Sequence, residues 1–195
     1  NGELAPENAM AAADLIMQDL KQLSRSIAGF QLLCRPAVPD ETVLPSEAVN
    51  RSISMVRDSY QQLGISFELH LISERQLQGS LPDLVQCMLN LFTNARDAII
   101  ETQATSGCIT VTVEIGEQDC VRIVVADTGG GIPRQLLHSL FDPYVTSKFR
   151  TQGVDLGLFV VRQIVEQRFN GTVTADNRDD GAVITLVMPL KQGEI

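Results

Sequence analysis

Apolar positions in the first 34 residues fall on a heptad seam: Ala9, Ala13, Ile16, Leu20, Leu23, Ile27, Phe30 and Cys34 follow spacings of 4, 3, 4, 3, 4, 3 and 4. Sustained alternation of 3 and 4 predicts a coiled-coil or bundle helix, with a seam about 38 Å long. One helix cannot bury its own seam, so residues 7–34 are expected to pair with a second helix or a second copy of the chain. Three prolines then fall within residues 35–45, which reads as a linker.

Past the linker the periodicity changes. Val49, Ile53, Val56, Tyr60 and Leu63 share a helical face that Gly64 ends. Ile65, Phe67, Leu69 and Leu71 alternate with Ser66, Glu68 and His70, which predicts a strand with His70 on its solvated side. Pro82 suits a helix first turn, and Leu84, Met88, Phe92, Ala95 and Ile99 form the apolar stripe of a helix running to Glu101. Residues 109–115 and 121–125 alternate strictly around a turn, an antiparallel hairpin. A loop region at 127–156 is broken by a short helix near 134–140. A helix at 156–168 follows, then strands near 171–176 and 182–188 joined by Asp179-Asp180-Gly181. Helices mixed irregularly with antiparallel strands predict an α+β sandwich, helices on one face.

Composition narrows the functional classes. The 195 residues are 44% apolar and 20% charged, enough to bury a core, and the net charge is −9. That balance speaks against nucleic acid and against a polybasic membrane contact as partners. Cys34, Cys87, Cys108 and Cys120 form no C-x-x-C, and His70 and His138 make no ligand pair with them. They read as small apolar residues of a reducing, cytoplasmic compartment, with no structural zinc. No run of about 18 apolar residues occurs, and the Asn-Gly-Glu start is expected to open a fragment of something longer, such as the cytoplasmic part of a membrane-anchored sensor.

Three segments carry candidate chemistry. On the helix ending at Glu101, a polar stripe of Asn90, Asn94, Asp97 and Glu101 follows spacings of 4, 3 and 4. An amide oxygen is a neutral, hard donor suited to Mg²⁺, although a pair of structural asparagines reads nearly as well. Asp127-Thr128-Gly129-Gly130-Gly131-Ile132-Pro133 follows a strand directly. A carboxylate there can accept a hydrogen bond from an exocyclic amine such as that of adenine, and glycines let the backbone approach a flat ring. Leu140 to Lys148, and then Gly153-Val154-Asp155-Leu156-Gly157-Leu158, lead into a helix whose free N–H groups suit phosphate oxygens.

Taken in order, these segments resemble the ATP-binding catalytic domain of two-component sensor histidine kinases, of the superfamily shared with DNA gyrase, Hsp90 and MutL. Asn90-Leu-Phe-Thr-Asn94-Ala-Arg-Asp97 resembles the N box, Asp127 to Pro133 the G1 box, Phe141-Asp-Pro-Tyr144 the F box, and Gly153 to Leu158 the G2 box. The resemblance covers roughly residues 46–190, and the heptad helix resembles the second helix of the family's dimerisation and phosphotransfer hairpin. It implies a dimerisation helix at 1–34, a linker at 35–45 and a catalytic domain at 46–195. The implied fold is a Bergerat-type sandwich of helices on a mixed, mostly antiparallel sheet. It would bind ATP and Mg²⁺ between the N-box helix and a lid. Asn94 would be the magnesium ligand, with Asn90 beside it holding phosphate oxygens or water and Asp97 a further cofactor-binding residue, and Asp127 would be the adenine reader. Gly129 and Gly131 would shape the floor, and Lys148, Gly153, Gly157 and Leu158 would serve the phosphates. The implied partners are a second copy of the chain, through residues 7–34, and the receiver domain of a response regulator.

The sequence departs from that pattern twice. No His-(Glu/Asp)-x-x-x-Pro segment exists, so no phosphoacceptor histidine and no catalytic residue is evident in this chain. Asp155 also stands where the G2 box has its middle glycine. A carboxylate ~5 Å from the triphosphate, at an effective dielectric of ~20, would cost about 3 kcal/mol, or about a hundredfold in affinity. Together these leave open a degenerate, non-catalytic kinase-like module acting as a dimeric docking or regulatory scaffold.

Overall fold

The computed structural model describes residues 41–143 and 156–190. The heptad seam, Tyr144, Lys148, Gly153 and Asp155 lie outside these residues.

Helix α1 (Pro45–Gln62) starts on a proline, whose missing N–H is one the first turn leaves unpaired in any case. The next free donor, the Ser46 N–H, reaches Glu74 Oε2 at 2.8 Å while Ser46 Oγ donates to Oε1 at 2.6 Å, so a distant loop caps the helix. Just before α1, β1 (Thr42–Val43) pairs antiparallel with β3 (Leu77–Gln78). Within the stretch read as linker, residues 41–45 are therefore part of the fold. Their backbone groups go to β3 and into α1.

β2 (Ile65–Leu71) follows, and after β3 comes α2 (Leu81–Glu101), then β4 (Gly107–Gly116) and β5 (Cys120–Asp127). Beyond the G1-like loop lie α3 (Gly157–Arg168), β6 (Thr172–Arg178) and β7 (Gly181–Pro189). The large sheet has the order β2-β4-β5-β7-β6, with β2 parallel to β4 and every other pair antiparallel. A parallel pair needs a crossover, and α2 lies in it. The expected mixed, mostly antiparallel sheet is present.

Period 2 explains the layer. Ile109, Val111 and Val113, then Val121, Ile123 and Val125, then Ile184, Leu186 and Met188 are buried under the helices. All five apolar-stripe residues predicted for α2 are buried with them. The centre is aromatic: Phe67 stacks on Tyr60 at 5.5 Å and meets the edge of Phe92 at 5.0 Å. Asp83 in the first turn of α2 faces Arg168 in the last turn of α3 at 4.0 Å, each charge at the helix end that favours it.

One predicted element is shorter than expected. Instead of a helix at 134–140, the chain makes a 3₁₀ turn at Arg134–Leu136, with Leu136 N–H to Pro133 O and Ser139 N–H to Leu136 O. Seven residues give too few hydrogen bonds to offset helix nucleation, and i to i+3 bonds satisfy the backbone instead. Leu71 and Ile72, at the end of edge strand β2, project beyond the core and are exposed. Among the described residues no helix is long and apolar enough to cross a membrane.

Phe92→Ala should lower the unfolding free energy by about 3–5 kcal/mol in a urea melt, because the cavity it leaves is walled by rings and strands that cannot collapse. Ile72→Ala, which empties no space, should change it by less than about 0.5 kcal/mol.

Candidate functional site

A cavity of about 250 Å³ opens between α2, the end of β5, the loop after β5 and the start of α3. Asn94, Asp97 and Glu101 line it from α2, Asp127, Gly129 and Gly131 from β5 and its loop, and Leu158 from α3. Six expected site residues thus converge on one space: Asn94, Asp97, Asp127, Gly129, Gly131 and Leu158. Most of the remaining wall is apolar, including Leu91, Val125, Ile132, Leu140 and Ile184. Such a surface suits a flat, poorly solvated ring.

Asp127 is the polar centre of this wall. Its Oδ1 accepts hydrogen bonds from the Gly129 N–H at 2.8 Å and the Ala182 N–H at 3.4 Å. Both fall on one oxygen, so Oδ2 has no donor among the described residues. Burial pushes the Asp127 pKa above the ordinary carboxylate range, and the two N–H groups only partly oppose that. An acceptor held in an apolar wall with one oxygen open is suited to an N–H donor from a ligand.

The glycines serve different ends. A Cβ on Gly129 would lie 2.5 Å from Ala98 Cβ and 2.9 Å from Asp127 Oδ1, so the loop can lie on α2 only without a side chain there. Gly131 has φ +81°, in the left-handed region. Both glycines are expected to shape the floor, and the structure separates the space that one requires from the conformation that the other requires.

On α2 the two asparagines divide. The Asn94 amide is in the cavity wall, and its Nδ2 is buried without a hydrogen-bond partner among the described residues. A buried amide left unpaired costs about 1–3 kcal/mol, a penalty that a ligand or ligand-borne water would relieve. Asn90, expected beside it at the phosphates, bridges two helices. It accepts from Gln86 Nε2 at 3.1 Å and donates Nδ2 to the Gly157 carbonyl at 3.3 Å. Its position one turn before Asn94 directs it toward the start of α3. Gly157 therefore acts at the helix start through its carbonyl and is not part of the cavity wall. Asp97 accepts from Arg96 Nε at 2.9 Å, and that guanidinium lies 5.7 Å above the Tyr60 ring.

The lining holds three carboxylates, on Asp97, Glu101 and Asp127, and no Lys or Arg among the described residues. Nor do these residues hold any group of three His, Cys, Asp or Glu able to bind a metal ion alone. A cation here would need donors from the ligand as well as from Asn94. The three described cysteines are free, and Cys87 is fully buried, with burial first and the Asp83 charge second pushing its thiol well above the usual range. It is an apolar core residue, as expected.

No sequence motif points to Asn177, Ala182 or Ala98. Asn177 and Ala182 face one another across the β6–β7 hairpin. Asn177 Oδ1 accepts from the Ile132 N–H and its Nδ2 donates to the Ile132 carbonyl, each at 2.7 Å. The available signal was slight: one Asn in a strand, two residues before an Asp-Asp-Gly turn.

Residues 79–192 match the family described as histidine kinase-, DNA gyrase B-, and HSP90-like ATPase. The sensor histidine kinase ZraS of Salmonella typhimurium is 29% identical over 180 residues, 91% of this chain and 37% of that protein. The two-component sensor PprA of Pseudomonas aeruginosa is 30% identical over 152 residues, 75% of this chain and 16% of that protein. The chain thus spans well under half the length of these curated relatives. Among solved structures, the mycobacterial sensor histidine kinase MprB superposes with a TM-score of 0.68 at 28% identity, covering 76% of this chain and 97% of that one. The histidine kinase ThkA, in complex with the response regulator protein TrrA, shares the fold at a TM-score of 0.75 and 21% identity, over 99% of this chain and 55% of that one.

The raised pKa of Asp127 makes a prediction with a definite sign. The folded state holds that proton more tightly than the unfolded one, so wild-type stability falls as pH rises from the ordinary carboxylate range through the raised value. Asp127→Asn keeps an oxygen for the Gly129 and Ala182 N–H groups and removes the buried charge. Its melting temperature should exceed wild type at neutral pH, with the gap closing as the solution is acidified, as followed by circular dichroism.

Proposed function

The chain belongs to the histidine kinase-, DNA gyrase B- and HSP90-like ATPases, and from that premise we propose that it is the catalytic part of a sensor histidine kinase. It binds Mg²⁺–ATP in the cavity beside α2 and passes the γ-phosphoryl group to a histidine outside this chain, for relay to a response-regulator aspartate. The observation that carries this reading is the Asp127 carboxylate, fixed through Oδ1 and open at Oδ2 inside an apolar wall. Adenine offers that oxygen an exocyclic N–H and offers the wall a flat ring.

The chain's own residues divide the work. Asp127 orients the base, and Gly129 and Gly131 allow the wall to approach it. Asn90 holds the start of α3 against α2, so that the backbone N–H groups of the first turn of α3 face phosphate oxygens. Lys148 and Gly153 are assigned to the same phosphates by their place in the motif order. Asn94 would hold magnesium through its amide oxygen, while its Nδ2, without a partner among the described residues, would donate to a phosphate oxygen or a water, and the neighbouring acids would otherwise repel a polyanion. Magnesium would supply charge neutralisation on the phosphates, the main electrostatic need of phosphoryl transfer. The protein's contribution is then positioning and exclusion of water.

The heptad seam at 7–34 supports a homodimer, the ThkA complex supports a response regulator as partner, and the greater length of ZraS supports placement within a longer sensor, whose cytoplasmic part this chain would form. Asp155 and the missing acceptor motif favour a second reading, a kinase-like scaffold without catalysis.

Calorimetric titration with Mg²⁺–ATP separates the two. On the catalytic reading wild type binds at micromolar to sub-millimolar concentration, and Asn94→Ala loses the dependence of affinity on magnesium. Binding that is undetectable at millimolar nucleotide, and restored by Asp155→Gly, would select the scaffold.

A further inference from the structure

We propose that Asn177 is a positioning residue for the nucleotide pocket, holding the Gly131–Ile132–Pro133 stretch of its wall without itself touching the cavity. The inference rests on the nucleotide reading and extends it to an exposed residue on the edge strand.

Asn177 uses both ends of its carboxamide on a single residue, with Oδ1 accepting the Ile132 N–H and Nδ2 donating to the Ile132 carbonyl, each at 2.7 Å. This is the pair of bonds that a neighbouring strand would make, supplied by a side chain. Only a carboxamide carries a donor and an acceptor in that arrangement; a carboxylate would set an oxygen against the Ile132 carbonyl. The two short bonds also fix which way the amide faces, since the flipped form would oppose like groups at both ends. Space is equally tight, because a Cβ on Gly131 would lie 3.0 Å from Asn177 Oδ1.

The same hairpin grips the loop at two further points. The Gly130 N–H donates to the Asp180 carbonyl at 2.7 Å. Ala182, which faces Asn177 in the register of the hairpin, donates its N–H to Asp127 Oδ1. One paired rung of the β6–β7 ladder thus tethers both the carboxylate that would read the base and the loop that would cover it. Gly131, Ile132 and Pro133 all line the cavity, whereas Asn177 is exposed and outside it. A solvated strand position alone would accept many polar residues; this geometry accepts one.

The test joins titration of Mg²⁺–ATP with amide hydrogen exchange, each on wild type, Asn177→Ala, Asn177→Asp and Ser73→Ala. Ser73 is the structural control: its Oγ accepts the Ile115 N–H at 2.9 Å, at the far end of β4 from Ile109, which pairs with Asp127. Asn177→Ala should speed exchange at the Ile132 N–H and weaken ATP binding about tenfold. Asn177→Asp should not restore affinity. Ser73→Ala should leave both unchanged at temperatures where every variant is folded. Wild-type affinity in Asn177→Ala, or an equal loss in Ser73→Ala, would overturn the positioning role. Unchanged Ile132 exchange would overturn the clamp whatever the nucleotide does, whereas failure of wild type to bind ATP would remove the nucleotide reading and this role with it.

Discussion

Burial works against the charge of Asp127, and two backbone N–H groups converge on its Oδ1 to oppose that penalty. The arrangement constrains three parts of the chain. The Gly129 N–H can reach the carboxylate only if the loop folds back onto α2, which requires the missing Cβ beside Ala98. The Ala182 N–H can reach it only if β7 lies next to β5, which the antiparallel register provides. The hairpin must then close so that Asp180 and Asn177 meet the loop from the other side. A carboxylate satisfied at one oxygen and open at the other is the outcome, and the wall around it is apolar.

The charge balance takes on a different meaning in this light. A net charge of −9 excludes partners that need a basic face, and the cavity carries the same sign locally through Asp97, Glu101 and Asp127. On the proposed reading the ligand is itself a polyanion. Attraction then has to come from magnesium held at Asn94, from the N–H groups at the start of α3 and from Lys148. Two of these three are helix features: Asn94 sits one turn beyond Asn90, and Asn90 joins its helix to the start of α3. Asn90, expected at the phosphate oxygens, thus joins the helix that carries Asn94 to the start of α3.

Most of the fold was legible because burial on a pleat or a helix leaves a strict period. The apolar stripe of α2, the β4–β5 hairpin and the alternation in β7 followed directly from it. The short turn after Pro133 was not legible, since an apolar pattern seven residues long fits a helix as well as a 3₁₀ turn. The resemblance implied a mixed sheet, but no local signal showed that β2 is the strand that pairs in parallel, with β4. In the site, residues whose chemistry is unusual for their position stood out: Asn94 in an apolar helix, Asp127 at a strand end and glycines after it. Residues that act through geometry did not. Ala98 matters because it is small, Ala182 because of its N–H, and Asn177 because two bonds meet one residue from 45 positions away.

The central claim is that Asp127 reads an exocyclic amine, and exchange of that one group tests it most directly. Displacement of a fluorescent adenine nucleotide by ATP and by inosine triphosphate, each with Mg²⁺, compares ligands alike in ribose and phosphates. They differ where adenine bears an amine and hypoxanthine a carbonyl. The account predicts that ATP competes about a hundredfold more strongly, because the carbonyl would face the open carboxylate oxygen in place of a donor. Equal displacement by the two nucleotides would contradict it.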